Sequence, residues 1–92
     1  MSVAQTGTSE AAIFGRILQP EQATLDAAAA RAILALDFDH ADKDRMRDLM
    51  AKARLGELTT DETIEIENYE RVGHMLSLMK SKARLSLKRS KD

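Results

Sequence analysis

The two histidines, His40 and His74, are the side chains of this 92-residue chain best suited to acid–base or metal chemistry. His40 ends the segment Asp37–His40, in which two aspartates precede the imidazole. A calcium-binding loop starting at Asp37 would need a third oxygen ligand, a glycine and a twelfth-position glutamate at fixed places. Those places hold Ala41, Asp42 and Asp48. We therefore interpret the segment as the start of a helix and not as an ion site.

His74 lies in an apolar segment with Glu70 four residues before it. One imidazole and one carboxylate at helical spacing lack the third group that orients a catalytic pair or completes a metal site. The chain has no cysteine, which excludes thiolate zinc sites and cysteine nucleophiles. It also has no glycine-rich phosphate loop and no nucleophile elbow. We predict a protein that is not an enzyme and has no catalytic residues, cofactor, metal or small-molecule substrate.

Composition and charge favour a small helical protein. The helix-forming residue types predominate, and the aromatic residues are Phe14, Phe38 and Tyr69. The formal net charge is −1, which by itself predicts no strongly charged partner. No apolar run reaches the roughly 18 residues that cross a membrane, and the N-terminus lacks the pattern of a secretory signal. We expect an all-α, cytoplasmic protein without membrane contact.

The first part of the chain predicts a disordered arm followed by a short helix. Residues 1–9 are small and polar, so we predict that they are disordered. Ser9 can cap a helix over Glu10–Gln19, and Pro20 ends it. An extended arm is the alternative, docked by its large apolar residues. These residues are Ile13, Phe14, Ile17 and Leu18.

Two further short helices follow within a single helical domain over residues 10–92. Asp26 can cap a helix over Ala27–Leu36, and Asp39 can cap one over His40–Leu55. Gly56 stands where a helix commonly ends in a left-handed residue. The apolar stripe of the third helix, which we interpret as core, is Met46, Leu49, Met50 and Ala53.

A long C-terminal helix over residues 60–90 is the main feature of the chain. Thr59 and Glu62 form a capping box, and no proline follows. Such a helix is about 45–50 Å long, whereas a domain of this size has a radius of gyration of about 12–13 Å. We therefore predict a helical hairpin or bundle that is oligomeric or bound to a partner.

The middle of the long helix predicts a partner interface. Between Val72 and Met79 almost the whole circumference is apolar, which is typical of a helix buried on two sides. Gly73 lacks a side chain and would let a second helix approach closely. The predicted interface residues are Ile66, Tyr69, Val72, Gly73, Met75, Leu76, Met79 and Ala83.

Charge is segregated along the same helix. Its acidic block is Asp61, Glu62, Glu65, Glu67 and Glu70. Its basic block is Lys80, Lys82, Arg84, Lys88, Arg89 and Lys91. Three interpretations are open: both blocks complement the helix dipole, the basic block contacts nucleic acid or an acidic protein, or two long helices pair antiparallel in a symmetric dimer.

Several short motifs carry a family resemblance. They are Phe14-Gly15-Arg16 with Leu18, Ala29–Leu36 with Phe38, Gly56-Glu57-Leu58-Thr59 with Glu62, Tyr69-Glu70-Arg71-Val72-Gly73-His74, and Ser81-Lys82-Ala83-Arg84. On these motifs, residues 12–88 resemble a family of small, largely uncharacterised bacterial helical proteins. Members often have a proline where this chain has Thr60.

Proteins of that family are often encoded beside HNH-type nucleases, so the resemblance implies a partner or antitoxin-like role. Together with the wide apolar surface, it predicts a non-enzymatic module or adaptor. Such a module would bind another protein, or itself, through the long helix. A small nucleic-acid-associated protein that uses the basic C-terminal turn is the alternative.

Overall fold

The computed structural model describes residues 7–90, and within them it contains four α-helices and no β-strand. The helices are α1 (Glu10–Leu18), α2 (Ala27–Leu34), α3 (His40–Arg54) and α4 (Thr60–Ser90). The predicted all-α architecture of three short helices and one long C-terminal helix is confirmed. Most of the predicted disordered arm, residues 1–6, lies outside the described residues.

Each short helix begins at the capping residue that the sequence predicts. The Ser9 hydroxyl accepts a hydrogen bond from the Ala12 amide at 3.1 Å. The side chains of Asp26 and Asp39 accept amide hydrogen bonds of 2.8 Å in the same way. Residues 10–18 are thus helical and not an extended arm. Residues 7–9 join this helix through Ser9 and through the Gly7 carbonyl, which accepts a hydrogen bond from Arg16 at 2.9 Å.

The short helices end where the backbone leaves the right-handed helical region or tightens. Gln19, just before the proline, has φ of 51° and closes α1. α2 ends two residues earlier than predicted because its last turn tightens, with the Leu36 amide donating to the Ile33 carbonyl. Gly56 ends α3 with φ of 69°.

The long helix α4 starts with the predicted capping box. The Glu62 amide donates to the Thr59 hydroxyl at 3.1 Å, and the Thr59 amide donates to the Glu62 carboxylate at 3.0 Å. The helix has 31 residues, which corresponds to about 46 Å. Its length is therefore close to the 50 Å of the longest dimension of the molecule.

The short helices pack along α4 and form a thin plate. α2 makes the most extensive contact with α4, followed by α1, and α3 makes the least. The plate measures 50 × 42 × 15 Å, and its radius of gyration is 16.4 Å, against about 12 Å for a compact chain of this length. A thickness of 15 Å accommodates two helices and not three. The buried apolar residues are accordingly few: Ala11, Ala30, Leu49 and Ala83.

Candidate functional site

Ion pairs fasten α3 to the first turns of α4. Arg45 forms a bidentate pair with Glu65, with two hydrogen bonds of 2.8 Å. Lys52 donates to Glu62 at 2.5 Å, and the Arg45 guanidinium lies 3.6 Å from the same carboxylate. Two members of the predicted acidic block are therefore engaged inside the chain. Bidentate arginine pairs fix orientation as well as distance, so α3 has a defined position on α4.

These contacts change the acidity of both carboxyl groups. Hydrogen bonds from Lys52 and from the Thr59 amide lower the pKa of Glu62 from 4.5 to about 2. The hydrogen bonds from Arg45 lower the pKa of Glu65, and in turn they raise the pKa of the Arg45 guanidinium. Both carboxylates are thus held in the charged form at neutral pH.

We predict that stability falls in acid and that protonation of Glu62 accounts for part of the fall. Its pKa is depressed in the folded state, so its contribution is present above about pH 4.5 and is lost as the pH falls towards about 2. Urea unfolding of the wild type should show a midpoint that declines across this range. Glu62→Gln should flatten the decline, whereas Glu57→Gln, a change at an exposed residue of the turn between α3 and α4, should preserve it. An equal decline in Glu62→Gln would contradict the prediction.

An aromatic pair marks the place where the start of α3 meets α4. The Tyr69 hydroxyl donates to Asp42 at 2.6 Å, and this hydrogen bond raises the pKa of Tyr69 to about 12. The rings of Phe38 and Tyr69 meet edge to face, with centroids 5.9 Å apart. Phe38 also covers Gly73: its ring lies 4.0 Å from where a Cβ on residue 73 would stand. The close neighbour of this glycine is therefore a side chain of the same protein.

Two apolar hollows flank this aromatic pair. The first, which we call the α3–α4 groove, has a volume of about 250 Å³. Its lining residues are Phe38, Met46, Met50, Ile66, Tyr69, Glu70 and Gly73. The second hollow has a volume of about 340 Å³ and opens beside Val72. Because its lining is almost wholly carbon, the α3–α4 groove is suited to apolar side chains.

Large apolar side chains are exposed over much of the plate. The exposed fractions range from 43% at Ile13 to 77% at Ile17. The remaining members of this set are Leu36, Met50, Leu55, Ile64 and Val72. Single exposed apolar residues are common on soluble proteins, but Met50 belongs to the continuous lining of the α3–α4 groove.

The structure separates the predicted interface residues into three groups. Ile66, Tyr69 and Gly73 line the α3–α4 groove, and Val72 is half exposed beside the second hollow. Ala83 is fully buried within the chain, so it is not open to a partner. The others are half-buried in the middle of α4: Met75, Leu76 and Met79.

Met46 and Met50, which the sequence predicts as core residues, line the α3–α4 groove. Leu49 of the same stripe is buried, whereas Met50 is 52% exposed. Helical spacing puts these residues on one side of α3 but does not show how far α4 covers that side. Phe38, which follows α2, was likewise not expected at the groove.

The basic block divides in the structure. Lys82 is only 6% exposed, and its ammonium donates to the carbonyls of Leu18 and Gln19 at 2.7 and 3.3 Å. Lys82 is therefore not available for the predicted contacts with phosphate groups. Lys80, Arg84 and Lys88 follow one another at four-residue spacing on one side of α4. Arg89 is exposed on another side, and Lys91 lies outside the described residues.

Both histidines are exposed on the surfaces of helices. His40 is exposed, with Nε2 lying 3.3 Å from Asp44, one turn away on α3. His74 is exposed on α4. Among residues 7–90 there is no group of three histidine, cysteine or carboxylate side chains placed to hold a metal ion. None of the helices formed by these residues is both long and apolar enough to span a bilayer.

Comparison with known proteins adds no assignment. Comparisons of the chain with protein-family models, with curated proteins and with solved structures found no match. The α3–α4 groove and the row Lys80, Arg84 and Lys88 on α4 are the two surfaces of the described residues suited to a partner.

Proposed function

We propose that this chain is a non-enzymatic protein-binding module that receives its partner in the α3–α4 groove. The observation that carries the proposal is the open apolar lining of this groove in a plate only 15 Å thick. A thin helical plate leaves apolar surface that the chain does not cover, and such surface is stabilised when another polypeptide covers it.

The groove combines a rigid side with an adaptable one. Tyr69 is held by Asp42, and Phe38 packs against it, so the aromatic wall is fixed before a partner arrives. Met46 and Met50 of α3 line the same groove. Methionine side chains adjust to the shape of a bound group, and fixed aromatic side chains lose little entropy on binding. This arrangement suits apolar anchors presented by a helix.

An adaptor or antitoxin-like role follows from the family resemblance of residues 12–88. In that role the partner would be a protein encoded nearby, of the HNH nuclease kind. The geometry of the groove supports protein binding in general and does not itself select this partner.

The test compares the tagged wild-type chain with Met50→Asp, purified from the cells that naturally produce it. Because Met50 is half exposed, an aspartate there places charge in the groove with little effect on folding. A stoichiometric protein that copurifies with the wild type, or a self-assembled form, should be lost in the variant. Ile17→Asp is the matched control because it makes the same change at an exposed residue of α1.

Circular dichroism should show equal helix content in all three proteins. A wild-type chain that purifies alone and sediments as a monomer would overturn the proposal. An assembly that persists in Met50→Asp would show that the α3–α4 groove is not the binding site.

A nucleic-acid-associated protein is the second candidate, supported by the row Lys80, Arg84 and Lys88. Three cations along one side of a helix could follow a phosphate backbone, with binding that weakens steeply as salt is added. A gel-shift titration with duplex and single-stranded DNA and RNA at low salt would test it. Binding should be lost in Arg84→Glu, and the absence of any shift for the wild type would rule the candidate out.

A further inference from the structure

The outward side of α4 carries unpaired charges arranged symmetrically about Ser77. Glu70 precedes Ser77 by seven residues, and Arg84 follows it by seven. Glu67 lies ten residues before Ser77, and Lys88 lies eleven after it. All four charged side chains are exposed, and none has an ion-pair partner among the described residues. The engaged carboxylates, Glu62 and Glu65, are not part of this set.

These residues share one side of the helix. Seven residues make nearly two turns, so Glu70, Ser77 and Arg84 lie almost in line. Ser77 and Ser81 are exposed between the charged ends. In the C-terminal half of α4, the opposite side is covered by α1 and α2. Lys82, Ala83 and Ser86 are buried there. The outward side is thus a single face without a partner among residues 7–90.

We propose that this face pairs with the same face of a second copy, in an antiparallel, two-fold symmetric dimer centred near Ser77. Two-fold symmetry places Glu70 of each copy opposite Arg84 of the other, and Glu67 opposite Lys88. Four attractive contacts then form from two pairs of residues. Parallel pairing would instead bring Glu70 against Glu70 and Arg84 against Arg84, so the charges select the antiparallel arrangement.

The same register covers the α3–α4 groove. Centred near Ser77, the last turns of one α4 run beside residues 64–74 of the other, where Ile66, Glu70 and Gly73 line the groove. Glu70 stands at the edge of the groove and, in the dimer, opposite the incoming Arg84. Burial of Met50 and Ile66 would supply affinity, and the charge pairs would set register and direction.

This inference rests on the proposed function and names a second copy of the chain as the occupant. Its test is a charge swap, measured by sedimentation velocity across a concentration series up to the millimolar range at low salt. The wild type should dimerise. Glu70→Arg and Arg84→Glu should each weaken the dimer about tenfold or more, because each creates two repulsive contacts. The double variant E70R/R84E should regain the wild-type dissociation constant.

An equimolar mixture of the two single variants provides a second rescue. In that mixed pair each arginine faces a glutamate, so a heterodimer should form at concentrations where either variant alone is monomeric. Glu57→Arg, at an exposed residue of the α3–α4 turn, is the control and should dimerise like the wild type. Circular dichroism should give the same helix content throughout.

Three outcomes would overturn this pairing. They are a wild type that stays monomeric, a dimer indifferent to both single reversals, and losses that neither the double variant nor the mixture restores. None of these decides the proposed function on its own. If the wild type captures a different protein and Met50→Asp does not, the groove is still a binding site. Only the identification of a second copy as its occupant would then be wrong.

Discussion

Replacement of Leu49 by alanine should destabilise the fold by about 2–5 kcal/mol, the usual cost of emptying a fully enclosed leucine site. Leu49 is 0% exposed and is the largest side chain so enclosed among the described residues. It lies one turn from both Arg45 and Lys52, which pair with carboxylates of α4. It therefore lies on the side of α3 that faces α4, and its truncation leaves a cavity there.

The measurement is urea-induced unfolding followed by circular dichroism. Met50→Ala is the matched control, because it truncates the next residue, which is 52% exposed, and should cost less than about 1 kcal/mol. Small domains have only about 5 kcal/mol or a little more in total, so Leu49→Ala should leave α3 poorly docked. Equal losses in the two variants would show that α3 does not depend on this side chain.

The local features of the fold could be predicted from the sequence. Ser9, Asp26, Asp39 and Thr59 begin helices because short polar side chains satisfy the first free amides. Gly56 ends α3 because it adopts the left-handed conformation at little cost. These effects act over three or four residues, and for that reason the bounds of all four helices agree with prediction within two residues.

The candidate site could be predicted only in part, since its shape depends on how far one helix covers another. The pattern of α4 indicated Ile66 and Tyr69 as interface residues, and both line the α3–α4 groove. The pattern did not indicate that Glu62 and Glu65 form ion pairs with α3. Their partners, Lys52 and Arg45, lie ten and twenty residues away in the chain. The width of the apolar stripe on α3 likewise did not distinguish buried Leu49 from exposed Met50.

Lys82 is the residue for which sequence and structure differ most, and it leads to the second large expected effect. Lys82→Met should cost about 2–3 kcal/mol. Hydrogen bonds from a charged group contribute about 1.5–3 kcal/mol, and the carbonyls left behind would remain partly enclosed. The Lys82 ammonium binds the carbonyls of Leu18 and Gln19 at the end of α1, where helix dipoles favour a cation. Lys82 thus holds the C-terminus of α1 against α4.

The matched control is Lys80→Met, which makes the same change two residues earlier at a half-buried position and should cost less than about 1 kcal/mol. Urea unfolding gives the total loss, and hydrogen exchange of the α1 amides shows where it occurs. In Lys82→Met those amides should exchange faster while the amides of α3 keep their protection, because α3 is fastened separately by Arg45 and Lys52. Equal losses in the two variants would mean that Lys82 contributes no more than a surface lysine. If α1 loosens alone, the partner binding that we propose for the α3–α4 groove should persist, which separates the anchoring of α1 from that proposed function.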